Sequence, residues 1–121
     1  MSINDVIRTD TRKYKMITKD VPTTKDILIK AREIISDEKN WTQKAQARDK
    51  DGHEVSYLRP WAVCFCSVGA VERASIGHPR RALAALDFLS GEICSNIAEF
   101  NDTSSHAEVL AMFDKAIANA S

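Results

Sequence analysis

The side chains best suited to chemistry in this chain are Cys66, His106 and Asp102. A cysteine at the start of a helix sits at the positive end of the helix dipole, which lowers its pKa and favours thiolate. Cys66 directly precedes Ser67-Val68-Gly69-Ala70-Val71-Glu72-Arg73-Ala74, a stretch that reads as a helix. A thiolate nucleophile also needs a base and a group that orients the base. His106 offers the imidazole, and Asp102 or Asn101 the orienting group. Together they would make a cysteine-dependent hydrolase or transferase. The competing reading is an inert thiol in the core, because unpaired cysteine is among the most buried residue types.

Other constellations point elsewhere. Trp41, Tyr57 and Trp61 are rings that could line a groove for a base or a peptide, although such rings are more often core. Gln43, Asn101 and Asp102 are the polar candidates for gripping a ligand or a backbone. Asn101-Asp102-Thr103 also has the composition of a helix end followed by a cap. Cys64 and Cys66 lie closer together than the usual zinc-binding spacing, in apolar surroundings, so no metal ligand set is assigned and no cofactor is expected. Arg8, Arg12, Lys13, Lys15 and Lys19, with Tyr14 among them, form a basic segment that could meet nucleic-acid phosphates. No P-loop, GxGxxG or paired-histidine helix motif occurs, so nucleotide hydrolysis and dinucleotide redox chemistry have no support.

Composition bounds these options. The chain has 121 residues and zero formal net charge, so bulk electrostatics favours neither nucleic acid nor acidic lipid. Residues 1–60 carry 13 Lys/Arg against 10 Asp/Glu, and residues 61–121 carry 4 against 7, which makes the halves +3 and −3. Such a dipole suits head-to-tail contact, and a homo-oligomer is the expected assembly. No apolar run approaches the ~20 residues that span a bilayer. The first residues lack the apolar stretch of a signal peptide, and the three cysteines are an odd number. A cytoplasmic setting with free thiols, and no membrane partner, is the expectation.

The elements that must position these residues are mainly helical. Residues 1–22 form a basic arm closed by Val21-Pro22, and residues 23–121 form one globular domain. Thr23 or Thr24 caps a helix with Asp26 in its first turn, and Ile27, Leu28, Ala31, Ile34 and Ile35 make its apolar stripe. Residues 43–48 and 54–58 are expected to form a hairpin about the turn Asp49-Lys50-Asp51-Gly52. Trp61 to Cys66 is a continuous apolar run expected to thread the core, as a buried strand or as the lead-in to a helix. Gly69 inside the next helix costs ~1 kcal/mol against alanine, which close approach of a backbone or a ring would explain. Pro79 opens another helix, with a possible break at Ser90-Gly91. A further stripe runs to Asn101, and Ser105 with Glu108 forms a capping box for the last helix. The fold class is therefore α+β, mainly α: a helical cluster packed on a small antiparallel hairpin.

Several stretches resemble a family of short uncharacterised proteins from actinobacteria, rhizobia and phages. They are Trp41-Thr42-Gln43-Lys44-Ala45, Asp49-Lys50-Asp51-Gly52, Phe65-Cys66-Ser67-Val68-Gly69-Ala70 and Phe100-Asn101-Asp102. The family pattern is a Trp-Thr-Gln-Gly-Ala-like segment, an Asp-x-x-Gly turn, Trp-Cys-x-x-Gly-Ala and Trp-Asn-Asp. Here Lys44 stands where a glycine is usual, and Phe65 and Phe100 where tryptophans are. The resemblance covers roughly residues 25–119 and leaves the basic arm outside. It implies a cytosolic, phage-associated setting and no settled activity. The expected function is accordingly a non-catalytic binding or accessory protein, acting on a protein or small ligand, with an inhibitor of a host system as one concrete form.

Overall fold

The computed structural model describes residues 21–120. Among the described residues five α-helices follow one another: α1 (Thr24–Ile34), α2 (Ser67–Ala74), α3 (Pro79–Ile93), α4 (Ile97–Thr103) and α5 (His106–Asn119). Between α1 and α2 the chain forms two short strands, β1 (Ala47–Arg48) and β2 (Cys64–Phe65). The class is α+β and mainly α, with one small antiparallel sheet.

Local chemistry sets the helix boundaries. Thr23 Oγ1 accepts the Asp26 N–H while the Asp26 carboxylate accepts the Thr23 N–H, closing a capping box at the start of α1. Ser105 and Glu108 do the same for α5. Pro79 occupies the first turn of α3, where its missing N–H leaves no helical bond unmade. No break occurs at Ser90-Gly91: α3 runs on to Ile93 and stops at Cys94, in the left-handed region at φ 52°.

The core forms around α1. Ile27, Leu28, Ala31 and Ile35 are buried, and the helix packs against α2, α3 and α5. Phe113, Val109 and Ala116 close the core from α5, and Leu89 and Ala85 from α3. Burying each large aliphatic side chain contributes ~1.5–3 kcal/mol, so this stripe is the main source of cohesion.

The sheet differs from the expected hairpin. β1 pairs antiparallel with β2, Ala47 opposite Phe65 and Arg48 opposite Cys64. The 54–58 segment contributes a single bridge, Glu54 to Arg48. Beyond Val55 the chain leaves the ladder because Arg73 of α2 draws in the carbonyls of Tyr57 and Arg59, at 2.7 and 2.9 Å. On its other edge β2 bridges Trp41, with the Thr42 N–H donating to the Phe65 carbonyl at 3.0 Å. The run expected to thread the core does so only in part. Ala62, Phe65 and Cys66 are buried, but Trp61 and Val63 point outward. Its N-terminal half is a surface turn, and only its C-terminal half is strand.

Candidate functional site

The polar residues singled out by type converge on one side chain. Asn101 lies within α4 rather than at its end, and it is fully buried. Its Oδ1 accepts three donors: Trp41 Nε1–H at 2.8 Å, the Ser67 N–H at 2.9 Å and the Ser67 hydroxyl at 2.7 Å. Its Nδ2 donates to the Thr42 carbonyl at 3.0 Å. One amide thus ties the 41–42 segment to the first residue of α2.

Neighbouring residues extend the bracing. Gln43 Nε2 donates to the carbonyls of Asn101 and Ser104, at 3.0 and 3.1 Å. Those carbonyls lie at the end of α4, where no further helical turn can bond them. The Asp102 carboxylate accepts the Lys44 N–H at 2.7 Å. Arg48 donates to Thr42 Oγ1, the Gln43 carbonyl and the Gly52 carbonyl, joining this segment to the Asp49–Gly52 turn. Arg48 and Ser67 were not among the sequence candidates. A serine opening a helix reads as an ordinary first-turn residue, and an arginine in a strand reads as a surface charge.

Lys44 carries the strain of this arrangement, at φ 66°. That left-handed conformation costs a non-glycine residue ~1–2 kcal/mol, partly offset by the ~0.5–1 kcal/mol of extra chain entropy that glycine loses on folding. This explains why the resemblance expects glycine here. Lys44→Gly should therefore stabilise the fold by about 0.5 kcal/mol. The check is the urea midpoint at constant slope. A lower midpoint would mean that the lysine side chain contributes more than the strain costs.

The proposed catalytic group is only partly assembled. Cys66 and Asp102 line one pocket of about 320 Å³, together with Lys44, Gln46, Glu54 and Val68. His106 does not line it. Its Nε2 donates to the Ile35 carbonyl at 2.6 Å, and its ring lies 5.4 Å from that of Trp41. It thereby satisfies a carbonyl at the end of α1. Cys66 is the N-cap of α2, as expected, and its Sγ accepts the Gly69 N–H at 3.3 Å. Even so its pKa is raised. Burial pushes the thiol up, and the Gly69 N–H only partly opposes that. The thiol is capped and protonated rather than activated.

The remaining candidates are spread over the surface. Tyr57 is partly buried beside Glu72, and first burial, then that carboxylate, raises its pKa. Trp61 is exposed, with the Arg59 guanidinium 5.6 Å from its ring centre. Arg8, Arg12, Lys13, Lys15 and Lys19 lie outside the described residues. Cys64 Sγ lies 3.2 Å from the Lys39 carbonyl and Cys94 is exposed at the end of α3, so the three free thiols have separate surroundings. Among the described residues, Asp49, Asp51 and His53 place metal-capable atoms within 4.8 Å of one another. Asp49 Oδ1 there already accepts the N–H groups of Asp51 and His53, the bonds that hold the turn.

These features define a small helical domain in which a Trp-Thr-Gln segment and an Asn-Asp pair brace two helices and a strand. The chain belongs to a family of unknown function, DUF6197, whose model matches residues 19–119. No curated protein and no solved structure matches it.

Proposed function

We propose that this chain is a small non-catalytic binding protein that grips another protein through the turn at residues 56–63. One observation carries the reading: Leu58 and Trp61 on that turn are 57% and 54% exposed. The polar groups suited to chemistry are, by contrast, occupied by internal hydrogen bonds. Arg73 braces the turn from beneath through its two carbonyl bonds and lies over the Phe65 ring. A turn already ordered loses little entropy on binding. Tryptophan and arginine are the residues that most often anchor protein interfaces. Beside them Leu58, Ile76, Pro79 and Ala82 line a notch of about 120 Å³. That is below the ~300 Å³ at which small-molecule pockets begin, and it suits one aliphatic side chain. A modulator of a host system in a phage or mobile-element setting is the concrete form of this reading. It draws on the resemblance to short phage and bacterial proteins with the Trp-Thr-Gln and Asn-Asp signatures.

Selection of a random peptide library on the wild-type chain tests this. Enriched peptides should carry an aliphatic or aromatic residue and lose at least ~tenfold in affinity on Trp61→Ala or Leu58→Ser, a change of ~1.4 kcal/mol. Peptides indifferent to both substitutions would overturn the reading.

A second reading, thiol chemistry, rests on Cys66 and Asp102 sharing a pocket. Site-resolved alkylation with iodoacetamide at neutral pH separates the two. The raised thiol pKa leaves less thiolate in the folded chain than in the denatured one, so Cys66 should react slower than in a denatured control, and exposed Cys94 first. Cys66 reacting faster than the control would favour the enzyme.

A further inference from the structure

Positive charge gathers beside the 56–63 turn. Residues 57–82 hold Arg59, Arg73, Arg80 and Arg81 against Glu72 alone, whereas residues 83–121 hold one Lys/Arg against six Asp/Glu. Arg73 spends its guanidinium inward, on the carbonyls of Tyr57 and Arg59. Arg59, Arg80 and Arg81 are exposed, and among the described residues no carboxylate forms an ion pair with them. The first turn of α3 has no acidic residue to offset Arg80 and Arg81.

These cations adjoin the apolar notch. Its walls are Leu58, Ile76, Pro79 and Ala82. Pro79 is also a wall of the neighbouring concavity, which it shares with His78, Arg80 and Arg81, so the two arginines begin where the notch ends. On the turn side Arg59 follows Leu58, with its guanidinium over the Trp61 ring. An aliphatic seat is thus flanked by cations in two directions. Glu72 lines the notch too, with its carboxylate beside Tyr57. A carboxylate entering the notch would meet like charge there, and an aliphatic side chain would not. A basic segment would instead be repelled at the rim by three arginines.

We infer that the protein gripped by this turn presents an acidic segment, with one aliphatic side chain seated in the notch and Asp or Glu on either side of it, reaching Arg59 in one direction and Arg80 and Arg81 in the other. The inference rests on the docking reading above and adds the chemistry of the partner. Guanidinium groups pair with carboxylates through two parallel N–H···O bonds, which fixes the direction of the bound segment as well as its charge. Exposed charges of this kind act chiefly by steering encounter and rejecting wrong partners, so the contact weakens as salt rises. Nucleic acid would satisfy the arginines, but it carries no aliphatic side chain for the notch.

The test is an NMR titration of the full chain with three synthetic peptides, each a single leucine between flanks of Glu and Asp, of Ser, or of Lys. The acidic peptide should shift the amide signals of Leu58, Ile76, Gly77 and Arg80 and bind at least ~tenfold tighter than the serine peptide, with the lysine peptide weakest. Arg80→Glu combined with Arg81→Glu should invert the order of the acidic and lysine peptides. Both positions are exposed, and carboxylates suit a helix start, so circular dichroism should show the helix content kept. Acidic and serine peptides that bind equally, and are both lost on Leu58→Ser, overturn the acidic partner and leave the docking reading standing. Binding of the acidic peptide that survives Leu58→Ser and Trp61→Ala is diffuse charge attraction and overturns both. No shift with any of the three at millimolar concentration overturns this inference, while the library selection still decides the docking reading. A thymidine oligonucleotide that binds tighter than the acidic peptide and shifts the same signals overturns it in favour of nucleic acid.

Discussion

Asn101→Ala should cost about 4 kcal/mol of folding stability, one of the two largest losses expected from a single substitution in this chain. The side chain is fully buried, and four groups depend on it: Trp41 Nε1–H, the Ser67 N–H, the Ser67 hydroxyl and the Thr42 carbonyl. Leaving one buried polar group without a partner costs ~1–3 kcal/mol. The Ser67 hydroxyl can rotate toward another acceptor, but the Ser67 N–H at the start of α2 and the Trp41 indole cannot. The bonds from Gln43 to the Asn101 and Ser104 carbonyls survive, since they use backbone, so the loop is weakened rather than released. Against a total stability of ~5–15 kcal/mol, such a loss brings the domain close to unfolding at ordinary temperatures. Trp41→Phe is the calibrating variant. It keeps an aromatic ring near His106 but removes the indole N–H together with part of the bicycle, and a loss of about 1–2 kcal/mol is expected. Urea titration of both variants decides the matter. If Asn101→Ala costs no more than Trp41→Phe, the amide is not the hub that its bonds describe.

The role of Asn101 could not be read from its own segment. Locally, Asn-Asp-Thr between two apolar stripes looks like the end of a helix and the cap of the next. The partners that make Asn101 an internal residue lie 34 to 60 positions away, and no periodicity reports a contact at that separation. The helices were legible for the opposite reason. Their signals are local: Thr23 with Asp26, Ser105 with Glu108, and Pro79 at the first helical position after Gly77-His78. The strands were less so. Trp61 to Cys66 is apolar throughout, and nothing in composition tells that Trp61 and Val63 face outward while Phe65 faces in. That division depends on Arg73 holding the preceding turn away from the ladder, a contact between residues 14 to 16 apart in an irregular segment.

Cys66 illustrates a competition that residue type cannot resolve. Its place at the start of α2 was legible, and that place alone lowers a thiol pKa. Burial acts in the other direction and is the larger effect here. The linkage follows in sign. A thiol whose folded pKa lies above its unfolded value contributes stability that is lost as pH rises past the unfolded value. Alkaline conditions should therefore weaken this fold through Cys66. The histidine that would have served as its base is bonded instead to the Ile35 carbonyl, holding the end of α1.

Gly69→Ala is the second large loss, about 3 kcal/mol, and it has the sign opposite to helix propensity. In an exposed helix interior alanine is preferred to glycine by ~1 kcal/mol. At position 69, however, a Cβ would stand 2.0 Å from the Gln46 carbonyl oxygen and 2.9 Å from its carbon. Both are backbone atoms, so no rotamer change relieves the overlap. The same carbonyl accepts the Cys66 N–H at 3.1 Å, the bond that sets β1 against the end of β2. Making room for one methyl group means pushing β1 away from α2 and stretching that bond. The sequence clue was a glycine inside a helix with no turn to justify it, and the approaching group proves to be backbone rather than a ring. Gly91→Ala supplies the contrast, since no atom lies within 4 Å of the added carbon. Gly91→Ala should be neutral or stabilising by up to ~1 kcal/mol, while Gly69→Ala unfolds at markedly lower urea. Equal and small effects at the two positions would mean that β1 yields freely, and that its seat on α2 adds little to the braced segment from Trp41 to Arg48.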